Sequence, residues 1–351
     1  MEKPYSEQLS NPAYTDLGAP ENIEPIFPEG MQANIETWKS LRHNLLERWG
    51  KILGKPSFGD FKQEIELIET FEQPHYTASL YAQSTGPGTK QRILIMEPKT
   101  STSSPRPCAI VPYYHPNLMA GYDIKNRRPI TERKNVQFGL HLVQQGYIVA
   151  CTEAFPYGRV IDHSDRELFD SEIRKFFEEN PHWTGIGKRV WDTRLALDLL
   201  MDRPNLDRNR ILAIGHSLGG KMAFCAGTLD ERIKAVIGSD FGMGWSFTNW
   251  DADWHFGKQI HEKNFTAGLH QLLALHAPDS FLLIGGMADR SASWQYINEA
   301  KKVYRLYGKE DAAGFFDHAS GHQPTEESVA TAYRWLAEQF GLIEQKQEWH
   351  L

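Results

Sequence analysis

No stretch of this chain reaches the ~20 consecutive apolar residues that a membrane-spanning helix needs. The opening Met1-Glu2-Lys3-Pro4-Tyr5 lacks the apolar core of a secretory signal. Cysteine is scarce. Cys108, Cys151 and Cys225 are odd in number and sit in apolar runs, so buried free thiols are expected rather than a disulfide framework. The formal net charge is −7, mixed in sign, with no basic block, which argues against nucleic acid and anionic membranes as partners. No internal repeat or low-complexity tract is present. The histidines form no i, i+4 pairs with acidic partners of zinc-site type, so no metal is expected. These absences leave a cytoplasmic, globular protein as the expectation.

What is present supports a large core. Of 351 residues 40% are apolar, and 10 Trp, 13 Tyr and 18 Phe give the chain an aromatic-rich interior. Residues 1 to about 30 are rich in Pro, Asn and Glu and read as an extended arm, suited to cover a site or to pair with another subunit of a homo-oligomer. Trp38, Leu41, Leu45, Leu46 and Trp49 recur at helical spacing between Ile35 and Leu53. Strands are predicted at Ile65–Phe71, Tyr76–Gln83 and Gln91–Glu97. Buried strands at Cys108–Tyr113, Tyr147–Cys151, Arg210–Ile214, Ile233–Ser239 and Ser280–Gly285 alternate with helices over 135–146, about 188–201 and 326–340. A short strand is expected at Gly314–Phe316. The pattern is that of an α/β fold, a mostly parallel central sheet with helices on both faces. We therefore expect residues 1–75 to form an N-terminal arm and helical extension. Residues 76–345 would be the catalytic domain, with cap-like insertions at 155–187 and 241–272. In such sheets chemistry collects at the carboxyl ends of the strands.

The decapeptide Ile211-Leu212-Ala213-Ile214-Gly215-His216-Ser217-Leu218-Gly219-Gly220 is the most informative segment. An apolar strand meets Gly-x-Ser-x-Gly and runs into Lys221-Met222-Ala223-Phe224, a good helix start. That is a nucleophile elbow. So tight a turn strains its serine, and side chains at Gly215 and Gly219 would collide with neighbouring backbone. Ser217 is thereby raised where a histidine can reach it, and the Leu218 N–H, at a helix N-terminus, is aimed at a developing oxyanion.

A serine hydroxyl needs a general base and an acid behind it. Asp289 lies just past the strand Phe281–Gly285 and is the expected acid; Asp240, directly after the preceding strand, is its rival. Asp251 and Asp253 read as loop residues. His322, in the loop Phe316-Asp317-His318-Ala319-Ser320-Gly321-His322 before the last helix, is the expected base, ahead of His318. The second oxyanion donor is expected in Tyr113-Tyr114-His115-Pro116-Asn117, most simply around His115, because Pro116 has no N–H. His216, next to the serine, is expected to face a neighbouring loop or the substrate.

Together these segments resemble the α/β-hydrolase superfamily, in particular its acetylxylan-esterase and dienelactone-hydrolase-like carboxylesterases. The resemblance rests on Trp191-Asp192-Thr193-Arg194-Leu195-Ala196-Leu197-Asp198, Arg203-Pro204-Asn205-Leu206-Asp207-Arg208-Asn209-Arg210-Ile211, the elbow, Asp230-Glu231-Arg232-Ile233, Gly285-Gly286-Met287-Ala288-Asp289 and Gly321-His322. It covers roughly residues 90 to 340. It implies an α/β-hydrolase fold, the chain order serine, acid, histidine, and no cofactor. Dienelactone hydrolases proper use a cysteine where this chain has Ser217, and the oxyanion loop lacks their lipase-like cousins' His-Gly-Gly.

The run Phe241-Gly-Met-Gly-Trp-Ser-Phe-Thr-Asn-Trp-Asp-Ala-Asp-Trp-His-Phe256 should overhang the serine. Trp245, Trp250 and Trp254, with Tyr114, are candidates to hold a sugar ring or an acyl group; a hydrophobic lid packed on the scaffold is the competing reading. The expected activity is cleavage of a small-molecule carboxylic ester of small to medium acyl group, with an acetylated sugar as one candidate. The alternatives are a prolyl-oligopeptidase-like peptidase, for which the chain lacks a propeller's length, and a hydrolase-fold binding protein without turnover.

Overall fold

Nine strands form one twisted sheet in a computed structural model that describes residues 3–159 and 165–342. They are β1 (Ile65–Glu72), β2 (Tyr76–Gly86), β3 (Thr89–Pro98), β4 (Arg106–Tyr113), β5 (Ile148–Glu153), β6 (Leu206–His216), β7 (Ala235–Ser239), β8 (Ser280–Gly285) and β9 (Ala313–Asp317). Their spatial order is β1-β2-β3-β5-β4-β6-β7-β8-β9. The first three pair antiparallel, and β3 also runs antiparallel to β5. From β5 onward every neighbour is parallel.

The parallel strands are apolar on both faces, and all of β5, β7 and β8 is buried. Their side chains alternate between two cores. Leu283, Val236 and Ile110 meet one layer, and Leu282, Ile237 and Val111 meet the other. The first layer includes α1 (Ile35–Leu53), α4 (Gly185–Met201), α5 (Leu218–Gly227), α6 (Leu269–His276) and α7 (Ser293–Leu306). The second is built from α2 (Phe138–Gln144) and α8 (Glu326–Phe340). The expected α/β-hydrolase architecture is the one observed.

Helix α1 starts where Asn34 accepts from the Thr37 N–H, and it buries Trp38 and Trp49 completely. The 1–75 stretch thus contributes to the main core, and it ends by supplying edge strand β1, bonded to β2. Helix α4 begins three residues before the expected Lys188, capped by Thr184 through the Gly187 N–H. Within 155–187 lies α3 (Arg166–Glu179), which composition did not announce; Asp165 caps it by accepting from the Leu168 N–H. Residues 160–164 of that insertion lie outside the described residues. No helix among the described residues is long and apolar enough to cross a membrane.

Candidate active site

Strand β6 delivers Ser217 to the sheet's carboxyl edge at φ 55°, ψ −119°, a strained conformation held by its surroundings. The Ser217 N–H donates to the Ser239 carbonyl at 2.8 Å, and its own carbonyl accepts from the Lys221 N–H at 3.0 Å, the first turn of α5. A Cβ on Gly215 would strike the main chain of Gly219, and one on Gly219 would strike that of Pro112. Both glycines are therefore demanded by close approach. Leu218 is the first residue of α5, so its N–H has no intrahelical partner.

His322 is brought in by the loop between β9 and α8, which turns through Ala319 (φ 53°) and Gly321 (φ 107°). Its Nδ1 lies 2.6 Å from Oδ2 of Asp240. The expected acid Asp289 is not the partner, and Asp240, the rival, takes that place. Asp289 is fully buried and its carboxylate is occupied elsewhere. It accepts from the Gly242 and Met243 N–H groups, both at 2.7 Å, and from the Ser293 hydroxyl at 2.9 Å. Asp240 stands at φ 46° immediately after β7. That left-handed turn aims its carboxylate across the sheet edge to the histidine loop.

The electrostatics follow. Burial alone would raise the Asp240 carboxyl, but bonds from His322 and from the Asp289, Met287 and Gly286 N–H groups overturn that and hold it below the usual carboxylate value. The Ala288 N–H adds a further bond at 2.9 Å. Asp240 is thus an anion at neutral pH. Burial pushes Asp289 up to about 6, despite its own backbone partners.

His216 is buried behind the site. Its Nδ1 meets the Ser239 hydroxyl at 3.1 Å and its ring lies 4.5 Å from that of His322. Burial, then the neighbouring His322, pushes it down to about 3, so it stays neutral beside His322. His318 turns away, its Nδ1 at 2.8 Å from the Ser320 hydroxyl.

Ser217, Leu218, Asp240 and His322 share a cavity of about 270 Å³ with Tyr114, Tyr157, Phe169, Trp254 and Lys221. A larger cavity, about 590 Å³, has no histidine or carboxylate in its lining. Of the residues expected to meet substrate, Tyr114 and Trp254 line the site. Tyr114 also interacts through its side chain with the Ser217 hydroxyl. Trp250 is completely buried, its indole N–H on the Gly242 carbonyl at 2.7 Å. Trp245 packs among Trp49, Phe256 and Phe265 and donates to the Ala267 carbonyl. Neither lines the cavity, because the apolar core claims them first. His216 and His115 do not line it either. The His115 imidazole lies 3.1 Å from the buried carboxylate of Glu153.

Sequence reasoning missed Tyr157, Phe169 and Lys221. Lys221 carried a signal, being the one charged residue in the otherwise apolar helix Leu218–Gly227. Burial, then the charge of Arg189, pushes it down to about 7. No group of three or more His, Cys, Asp or Glu suited to a metal occurs among the described residues.

The chain is similar to YtaP of Bacillus subtilis (strain 168), whose name calls it a hydrolase, at 26% identity over 216 residues, 58% of this chain and 70% of that protein. Among solved structures it superposes on a glucuronoyl esterase from Solibacter usitatus with TM-score 0.71 at 18% identity, covering 94% of this chain and 99% of that one. A CE15 glucuronoyl esterase from Teredinibacter turnerae gives TM-score 0.68 at 18% identity, covering 91% and 89%. An acetyl xylan esterase from Paenibacillus sp. R4 gives TM-score 0.53 at 14% identity, covering 89% and 97%. These likenesses establish a shared fold. The model of the Abhydrolase family matches residues 31–244, more than half the sequence and inclusive of the elbow, and the chain belongs to that family.

Proposed function

We propose that this protein is a serine hydrolase that cleaves carboxylic esters through an acyl-enzyme, with Ser217 as nucleophile, His322 as base and Asp240 as acid. The observation that carries the reading is the placement of the elbow serine and the Asp240-bound imidazole on one cavity.

The Ser217 oxygen attacks the ester carbonyl carbon while the His322 Nε2 takes its proton. Asp240, ionised and bonded to Nδ1, fixes the tautomer and stabilises the imidazolium. The resulting oxyanion is met by the Leu218 N–H, with Tyr114 as the second donor in place of His115. The tetrahedral centre expels the alcohol, which leaves with the proton from Nε2. Water then attacks the acyl-enzyme, giving its proton to His322, and the acid departs as Ser217 is restored.

A 270 Å³ space walled by Tyr114, Tyr157, Phe169 and Trp254 suits small to medium esters, and the polar rim suits an esterified sugar. The solved relatives named for glucuronoyl and acetyl xylan esters support that choice. Three buried free thiols fit a reducing, cytoplasmic setting.

Two measurements test the reading. A fluorophosphonate probe should label Ser217 stoichiometrically and leave Ser217→Ala unlabelled. Purified protein should hydrolyse 4-nitrophenyl acetate and not a prolyl anilide. Folded wild-type protein that neither labels nor turns over the ester would support a binding protein instead.

A further inference from the structure

Two basic side chains are buried beside the candidate active site with no carboxylate partner among the described residues. Lys221 and Arg189 are 3% and 1% exposed. The groups in direct contact with the Lys221 ammonium are all neutral. Asn249 Oδ1 accepts from it at 2.8 Å, the His255 Nε2 lies at 3.3 Å, and the Trp250 ring sits beneath it at 4.1 Å. His255 is completely buried, and burial, then Lys221 and Arg189, keeps its imidazole uncharged. An ammonium has three donors, and these neighbours accept two. Lys221 lines the cavity one helical turn beyond Ser217.

Arg189 lies behind the same wall. Its Nε donates to the Phe155 carbonyl at 2.9 Å, its guanidinium stacks on the cavity-lining Trp254 at 4.4 Å, and its Nη1 has no hydrogen-bond partner. The exposed Arg166 adds a third positive group at the lining. Of the two cavity carboxylates, Asp240 is saturated by His322 and backbone N–H groups, and Asp170 is exposed on α3. Asp192 acts on Arg189 through space, and Asp289 and Asp251 act on Lys221 in the same way, but no carboxylate among the described residues forms an ion pair with either.

Burying a charge without a contacting counter-ion is costly, and an apolar residue of similar size would ordinarily be the more stable choice. The neutral cradle softens the cost but supplies no opposite charge. Resting on the esterase reading above, we propose that the ester cleaved here carries a second, ionised acid group of carboxylate type, bound by Lys221 with Arg189 reinforcing the field. A bound anion offsets the buried charge and fixes the substrate by its end away from the scissile bond. The binding energy gained there positions the ester carbonyl at Ser217.

Ionisation gives a second handle. Burial pushes Lys221 down to about 7, with Arg189 acting in the same sense and Cys225, Asp289 and Asp251 against it. The preference for an anionic ester should therefore weaken as pH rises through neutrality. A ratio of two esters measured at one pH cancels any pH effect common to both.

The test compares carboxylates with their amide isosteres on each side of the scissile bond. The pairs are 4-acetoxybenzoate with 4-acetoxybenzamide, and monomethyl glutarate with methyl 4-carbamoylbutyrate. At about pH 6.5 the carboxylate of at least one pair should show about tenfold higher kcat/KM, and the ratio should fall at about pH 8.5. In Lys221→Met it should drop toward one at both pH values, whereas Lys221→Arg should retain part of it and lose the pH dependence. Wild-type ratios near or below one in both pairs would overturn the proposal, whatever the variants do. That includes the case in which a neutral hydroxylated ester is the better substrate because Lys221 serves a hydroxyl. If the amide esters are hydrolysed in a Ser217-dependent way without any carboxylate preference, the esterase reading stands and this inference alone fails. If none of the four esters is turned over, calorimetry of 4-hydroxybenzoate against 4-hydroxybenzamide on the wild-type protein decides. About tenfold tighter binding of the anion supports the proposal, and equal affinity overturns it.

Discussion

Asp240 and Asp289 hold each other in place. The Asp289 N–H donates to Oδ1 of Asp240 at 3.0 Å, while the Asp289 carboxylate binds the Gly242 and Met243 N–H groups that follow Asp240. One carboxylate faces the histidine and the other braces the turn that aims it.

The division of labour predicts unequal variants. Asp240→Asn should lower kcat by about 10³–10⁴-fold, because the imidazole loses its orienting anion. Asp289→Asn should lower it by less than about 30-fold while reducing thermal stability, through loosened positioning. Steady-state kinetics and melting curves on both proteins check this. The opposite ranking would restore Asp289 as the acid.

The raised carboxyl of Asp289 also ties stability to pH. Its folded value, about 6, lies above the model-peptide value of 3.8. Between these the native state holds a proton that the unfolded chain has released, so its stability contribution is complete at low pH and is lost as pH rises through the folded value. Wild-type stability relative to Asp289→Asn should accordingly fall by roughly 2–3 kcal/mol between about pH 4 and 7. Denaturant titrations across that range measure it, and a constant difference would contradict the assignment.

Tyr114 should matter to the chemical step. Tyr114→Phe removes the phenol that interacts with Ser217 and is expected to reduce kcat by about 10–100-fold with little change in fold. An unchanged kcat would leave the backbone as the donor on that side.

Trp254 and Trp250 should separate cleanly. Trp254→Ala should shift acyl chain-length preference, since Trp254 lines the cavity. Trp250→Ala should cost about 3–5 kcal/mol of stability, because a completely buried indole leaves a hole. A chain-length screen beside chemical denaturation separates the two effects.

Burial pushes the Cys225 thiol up to about 12 and the Cys108 and Cys151 thiols higher still. Native protein should therefore be inert to thiol reagents, and denatured protein should react at all three cysteines. Rapid labelling of any of them in the native state would show that its packing is looser than described.

Much of this was readable from local pattern. The apolar runs at 108–113, 148–151 and 280–285 become buried parallel strands because both of their faces must leave water. Gly215 and Gly219 betray the elbow, since no larger side chain fits there. Helix α3 escaped notice because its buried residues, Phe169, Ile173 and Phe176, are few among charged neighbours. The aromatic run 241–256 could not be sorted by type. Composition shows that Trp245, Trp250 and Trp254 are large and apolar, and says nothing of which one the core absorbs.

Covalent order and side-chain chemistry settled the scaffold and singled out Ser217 and His322 as the candidate nucleophile and base, because strand period, glycine sterics and the elbow act over a few residues. Folding chose between the two aspartates and exposed a buried lysine beside the serine. A pairing such as His322 with Asp240 spans 82 positions, and its geometry depends on a left-handed turn and four backbone N–H groups from a different loop. Such a contact has no local signature, since the energy that selects it exists only once the sheet has brought both loops to one edge.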